Sequence, residues 1–239
     1  MHIQLLFACR ALGMEDPQIH NQQRIIENGV LNNSSNYILY LKLNCFYYLD
    51  KSDIKKSFDY YMVASSTDAY EQLRPIEKEN WILLEHVFFY IKDSGRIKPI
   101  NEIRPPTPFH EISLLRKDSR GFQVCVSILE MSLALLKGED YRTEQLLDKI
   151  HNDYYAFIRE SDTERTIHFY KLMRKRLQKR PEEFHNDPKV QAEIEEMKRS
   201  PRTMKTLEGW EIIPYDMVFE WDKENHLPKS KQTREGASY

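Results

Sequence analysis

Glycine is scarce. Seven glycines in 239 residues are well under half the ordinary share of roughly 7%, so turns that need φ > 0 are few and a turn-dense β-sandwich or barrel is disfavoured. The closely spaced glycines by which a backbone approaches a phosphate are missing as well. Neither GxGxxG nor GxxxxGK[ST] occurs, which argues against Rossmann and P-loop chemistry. Cysteine is limited to Cys9, Cys45 and Cys125, far apart and in apolar surroundings. An odd, scattered set argues against a disulfide framework and against zinc, and fits buried thiols in a reducing compartment. Charge of one sign is absent too: 35 Lys and Arg face 37 Asp and Glu, for a net charge of -2. That balance does not give the global basic field of a dedicated nucleic-acid binder. No apolar run approaches the ~20 residues that cross a bilayer. The segment Leu6 to Cys9 imitates a lipoprotein cleavage box, but the residues before it are too few for a secretory signal, and the reading is a cytoplasmic protein.

What the sequence has is charge (30%) and apolar residues (41%) arranged at helical spacing. The run from Asn36 to Tyr48 is apolar on most faces, with Asn36, Lys42 and Asn44 interspersed, and predicts a largely buried helix. Asp50 to Asp53 is a polar turn in which Ser52 or Asp53 can cap a second helix from Ile54 to about Ser65. This helix–turn–helix matches the small/aromatic alternation of a tetratricopeptide unit at Cys45, Tyr48, Ser57, Tyr61 and Ala64, without the terminal proline. A third helix is expected from Tyr70 to Ile91, with Trp81, Leu84, Phe88 and Ile91 on one stripe and Pro75 near its first turn. Prolines at 99, 105, 106 and 108 then predict a loop or linker over about 93–119.

Phe122 to Leu136 is the most apolar helix candidate, with Val124, Ile128, Met131 and Leu135 on one face, Leu129, Leu133 and Leu136 beside them, and Gly138 as its terminator. Tyr141 to Arg159 follows, expected to bury Leu146, Ile150, Tyr154 and Phe157. A capping box over Ser161–Glu164 opens a helix to about Lys179 that Pro181 stops. Asp187-Pro188 starts a short helix to about Lys198. A last apolar segment runs from Trp210 to Trp221. The expected organisation is therefore N-terminal helical hairpins over 1–92, the proline-rich segment over 93–119, C-terminal hairpins over 120–222 and a polar, frayed tail over 223–239. The fold class is all-α, with antiparallel hairpins stacked as a tetratricopeptide-like right-handed solenoid.

Two basic groups are candidate anion or nucleic-acid contacts. Arg174, Lys175, Arg176, Lys179 and Arg180 crowd the end of one helix, where they either complement the helix dipole or, with Phe169 and Tyr170 available for stacking, bind phosphate. Arg116, Lys117 and Arg120 lie at a helix entrance, where free N–H groups also favour anions. Eight histidines offer no HExxH and no partner one helical turn from His110 or His185, so no metal site and no cofactor is expected. Gly-x-Ser-x-Gly is absent, and no cysteine has a histidine close by in sequence. Catalysis therefore has no positive support.

The stretch Leu115-Arg116-Lys117-Asp118-Ser119-Arg120-Gly121 leading into an apolar helix resembles a segment of a family of uncharacterised bacterial helical-repeat proteins. Glu211-Ile212-Ile213-Pro214-Tyr215 leading to Trp221 resembles a second. The resemblance spans roughly residues 85 to 221, and departs from the family at Ser119, where a basic residue is usual, and in the prolines of 104–108. It implies a tetratricopeptide-like fold and carries over no catalytic residue. The leading expectation is a noncatalytic module that binds a protein or peptide partner. The rival is a nucleic-acid-associated regulatory protein that uses the basic helix end.

Overall fold

The computed structural model describes residues 34–96, 105–115, 119–160, 164–200 and 211–226. Among them are eleven helices and no strand, so the chain is all-α. It divides into two compact units, Met1–Pro106 and Thr107–Tyr239.

In the first unit, α1 (Ser35–Asp50) and α2 (Ile54–Ser65) are joined by a three-residue turn in which Ser52 takes a left-handed φ of 57°. Asp53 caps α2 by accepting the Lys56 backbone N–H at 3.2 Å, which satisfies one of the free donors at the helix start. The helices run back along each other, because Ser57 meets Cys45 and Tyr60 meets Tyr40 at nearly constant index sum. Small residues let the backbones approach: the buried Ser57 hydroxyl donates to the Cys45 carbonyl at 2.7 Å, and Ala64 is fully buried.

The single helix expected from Tyr70 is two. α3 (Asp68–Glu71) is capped by Thr67, and α4 (Pro75–Asp93) starts with proline at its first position. Arg74 between them is extended (ψ 154°), because the ring of a following proline disfavours helical ψ in the residue before it. The Arg74 N–H is bonded by the Glu77 carboxylate at 3.0 Å. The expected stripe Trp81, Leu84, Phe88 and Ile91 is buried, with Phe88 edge-on to Phe58 and Trp81 against Tyr61 and Tyr70.

Glu85 sits beside this aromatic cluster, accepting the Tyr70 hydroxyl at 2.9 Å. Burial pushes its carboxyl above the usual glutamate value, against bonds from Tyr70 and Tyr61 and the nearby Lys78, which favour the charged form. A carboxyl raised in this way contributes stability that is complete at acid pH and is lost as pH rises through its folded value. Glu85→Gln keeps an acceptor for Tyr70 and removes the charge. It is expected to raise the urea midpoint at pH 7, with the gain disappearing at pH below about 4, where wild-type Glu85 is itself protonated. A gain that persists in acid would contradict this account.

In the second unit, α5 (Phe109–Leu115) occupies part of the segment that the prolines mark as a loop, because those prolines punctuate only its front and Ile112 is buried. α6 (Arg120–Leu136) is capped by Ser119 and ended by Gly138 at φ 75°, the left-handed position that glycine takes without strain. Apart from Arg120, Gly121, Gln123 and Glu130, every residue of α6 is buried, which makes it the central helix of its unit. It packs against α5, α7 (Asp140–Glu160) and α11 (Tyr215–His226). The buried stripe of α7 is Thr143, Leu147, Ile150 and Ile158, so Leu146 and Tyr154, expected inside, are half-buried; the Phe157 side chain lies outside the described residues.

α8 (Glu164–Gln178) packs on α7 and α10 (Pro188–Arg199). The expected capping-box residues Ser161 to Thr163 lie outside the described residues. Pro181 does more than stop α8: with Arg180 extended before it, it begins a further helix, α9 (Pro181–Asn186). Asp187 then caps α10 by accepting the Lys189 N–H at 2.8 Å. α11 starts only after Pro214 and continues to His226, so Lys223 to His226, expected in the tail, are helical. No helix among the described residues is long and apolar enough to cross a membrane.

Candidate functional site

The basic residues crowded together in sequence are spread apart by the helix. At 100° per residue, consecutive cations fan around α8 and meet different neighbours. Lys175 is half-buried and paired with Glu193 of α10 at 2.6 Å. Lys179 bonds the Asp187 carboxylate, and with the Lys189 backbone N–H it holds that carboxyl below the usual aspartate range. Arg176 points inward and is 1% exposed. Arg174 is exposed and lies over the Tyr170 ring, 5.9 Å from its centroid. Arg180 is exposed at the start of α9. Of the second group, Arg120 is exposed at the first turn of α6, and Arg116 and Lys117 lie outside the described residues. Phe169 and Tyr170, offered as stacking partners for bases, are both buried, and Phe169 is stacked on Tyr215 at 4.0 Å.

What α8 does bring together is a pair of buried ionic networks. Arg165 and Arg176 occupy the same inward stripe as Phe169, Leu172 and Met173. Arg165, 3% exposed, donates from Nε to both Glu211 oxygens at 2.8 and 3.1 Å, from Nη1 to the Met197 carbonyl at 2.6 Å, and from Nη2 to Glu211 at 2.9 Å and to Asp216. Glu211 in turn accepts the Tyr215 N–H at 2.7 Å at the head of α11. One guanidinium therefore satisfies the last turn of α10 and the entrance of α11 together.

Three turns along, Arg176 donates to Asp222 at 2.7 Å from Nε and 3.1 Å from Nη2. His185 of α9 approaches the same carboxylate at 2.6 Å, and His226 lies 3.5 Å away. Burial opposes the charge on Asp222, but the bonds from His185 and Arg176 outweigh it and hold the carboxyl below the usual aspartate range. An ionised carboxylate only accepts, so His185 Nε2 carries the proton in this bond. Asp222 is 0% exposed. A histidine–aspartate pair is the orienting half of many hydrolytic sites, but this one is enclosed and its carboxylate is shared with an arginine. Its chemistry is cohesion of α8, α9 and α11.

Sequence reading gives Asp216 and Asp222 no role, and Glu211 enters it only through the resemblance. The signal was present in the periodicity: Arg165 and Arg176 fall on the apolar stripe of α8, and Asp222 falls on the stripe Tyr215, Val218 and Phe219 of α11. Charges at core positions require partners. Among the described residues, no group of three or more His, Cys, Asp or Glu is placed to hold a metal ion. Cys45 and Cys125 are buried, and burial pushes the Cys45 thiol well above its ordinary value. No family model, curated protein or solved structure matches the chain.

Proposed function

We propose that the chain is a noncatalytic protein-interaction module, a tetratricopeptide-like right-handed stack of helix hairpins that binds a protein or peptide partner in a reducing, cytoplasmic setting. The observation that carries this reading is the α1–α2 hairpin, closed by the Ser57–Cys45 bond and Ala64 at the positions where repeat hairpins need small residues. Stacked hairpins bury a continuous core and leave a surface for partners. The pairing of Lys175, Arg176 and Lys179 with Glu193, Asp222 and Asp187 speaks against the nucleic-acid alternative.

The test has two arms on the purified full chain. In the first, partners captured from the source cell are purified and titrated back for saturable binding; in the second, labelled DNA is titrated across a salt series. The interaction reading expects a stoichiometric protein complex and weak DNA binding. It also expects Lys175→Gln/Lys179→Gln to leave that complex intact while costing at most about 2 kcal/mol of stability, since exposed ion pairs and helix-end charges each contribute about 1 kcal/mol or less. Tight DNA binding that falls steeply with salt and vanishes in the double variant would replace this reading with the rival.

A further inference from the structure

Where α7 packs on α8, a cluster of side chains stands apart from the two ionic networks. The His151 ring is parallel to that of Tyr170, 6.1 Å between centroids and 14° between planes. Tyr155 leans on both, 5.1 Å from His151 and 5.2 Å from Tyr170. The guanidinium of Arg174 lies over the Tyr170 ring. Two features of this cluster occur side by side. Tyr170 is only 4% exposed, yet among the described residues its buried hydroxyl has no hydrogen-bond partner, a costly condition for a group that can donate. Arg174 is exposed and is held by an aromatic face, whereas Lys175, Arg176 and Lys179 beside it are each bonded to a carboxylate.

An unsatisfied buried donor beside a cation without an acid partner calls for an acceptor that carries negative charge. We propose that Tyr170, Arg174 and His151 form a site for a small oxyanion of the phosphate type, with the Tyr170 hydroxyl and the Arg174 guanidinium as its donors and the exposed His151 ring at its edge. A guanidinium offers several N–H donors in a fixed fork that matches phosphate oxygens, and the phenol adds a further donor to the same ligand. Burial disfavours the ionised phenol of Tyr170 against Arg174, with smaller contributions from Tyr155 and from Asp148, which is exposed on α7 and is the opposing charge. The site goes beyond the interaction reading and does not depend on it.

The test is a titration of the full chain with inorganic phosphate at constant ionic strength, followed by calorimetry and by the NMR signals of the His151 ring, with acetate as the second ligand. The expected result is saturable phosphate binding that shifts the His151 signals, with acetate weaker. Arg174→Gln is expected to weaken binding about tenfold through loss of charge-assisted bonds. Tyr170→Phe is expected to weaken it without lowering the melting temperature, since the variant deletes only an oxygen that has no partner among the described residues. Asp148→Asn, which removes the opposing charge, is expected to tighten it. Absence of saturation would overturn the site. Equal affinity in the wild type, Arg174→Gln and Tyr170→Phe would do the same, and acetate binding as tightly as phosphate would overturn the assignment of ligand class.

Discussion

Asp222→Ala is expected to destabilise the C-terminal unit by about 3–5 kcal/mol, the cost of leaving a buried charge without its partner. Arg176 is 1% exposed and has Asp222 as its bonded carboxylate, so truncation strands a buried guanidinium and also removes the acceptor of His185. The converse substitution, Arg176→Met with Asp222→Leu, deletes both charges at similar volume. It is expected to recover most of the loss, because a buried ion pair contributes little beyond what its own desolvation costs. The pH dependence follows from the same geometry. The Asp222 carboxyl lies below its ordinary value, so its contribution is present above about pH 4 and is lost as pH falls through the lower folded value. Asp222→Asn, already weak at neutral pH, is expected to show a flatter decline in that acid window. Urea midpoints for the four proteins from pH 7 to pH 3 decide the matter. A single alanine variant as stable as the wild type would show that the ion pair holds nothing together.

The elements legible in the sequence are those whose local signals agree. The α1–α2 turn is marked by Ser52 and Asp53 as alternative caps, of which Asp53 is the one used, and the end of α6 by Gly138 and the start of α10 by Asp187-Pro188, which perform those roles. These signals are read within a few residues and need no tertiary information. The shortest helices were less visible, because α3, α5 and α9 span too few residues for a periodic pattern, and prolines that read as breaks are also good first residues of the next helix. In α7 the expected Ile150 is buried, whereas Leu147 and not Leu146 lies inside, because the two are adjacent and Thr143 conceals the stripe's beginning. A polar side chain that bonds its own helix, as the Thr143 hydroxyl does to Glu139 at 2.9 Å, can sit inside at little cost.

The ionic networks show a different kind of limit. Reading five cations as one patch follows the chain, whereas a helix sorts them by angle: Arg174 turns outward, Arg176 turns inward, and Lys175 and Lys179 reach neighbouring acids. The partners, Glu193, Asp187, Asp222 and Glu211, lie 8 to 46 residues from the cations they meet. Which acid meets which base is set by the packing of α8, α9, α10 and α11, and no short sequence pattern holds that information. The inward angle of Arg165 and Arg176 is visible in the periodicity, and their partners are not.

Leu129→Ala tests the other support of the same unit, the apolar one, and is expected to cost about 2–5 kcal/mol. Leu129 is 1% exposed and belongs to α6, the helix with neighbours on nearly every side. Shortening its isobutyl group to a methyl forfeits the transfer free energy of three carbons and leaves a cavity in the helix that packs on α5, α7 and α11. The intrinsic gain from alanine's helix preference is smaller, a few tenths of a kcal/mol at most. How far the site collapses decides where in the range the value falls. Val126, Ser132 and Leu133 are themselves buried along α6, so few side chains are free to turn into the space, which favours the upper half. Lys223→Ala, exposed on α11, is the matched control and is expected to lie within about 0.5 kcal/mol of the wild type. The two variants are compared by urea unfolding followed through the helical signal. Coincident midpoints would mean that α6 is not the central helix of its unit, and the burial pattern on which the two-unit, all-helical architecture rests would have to be redrawn.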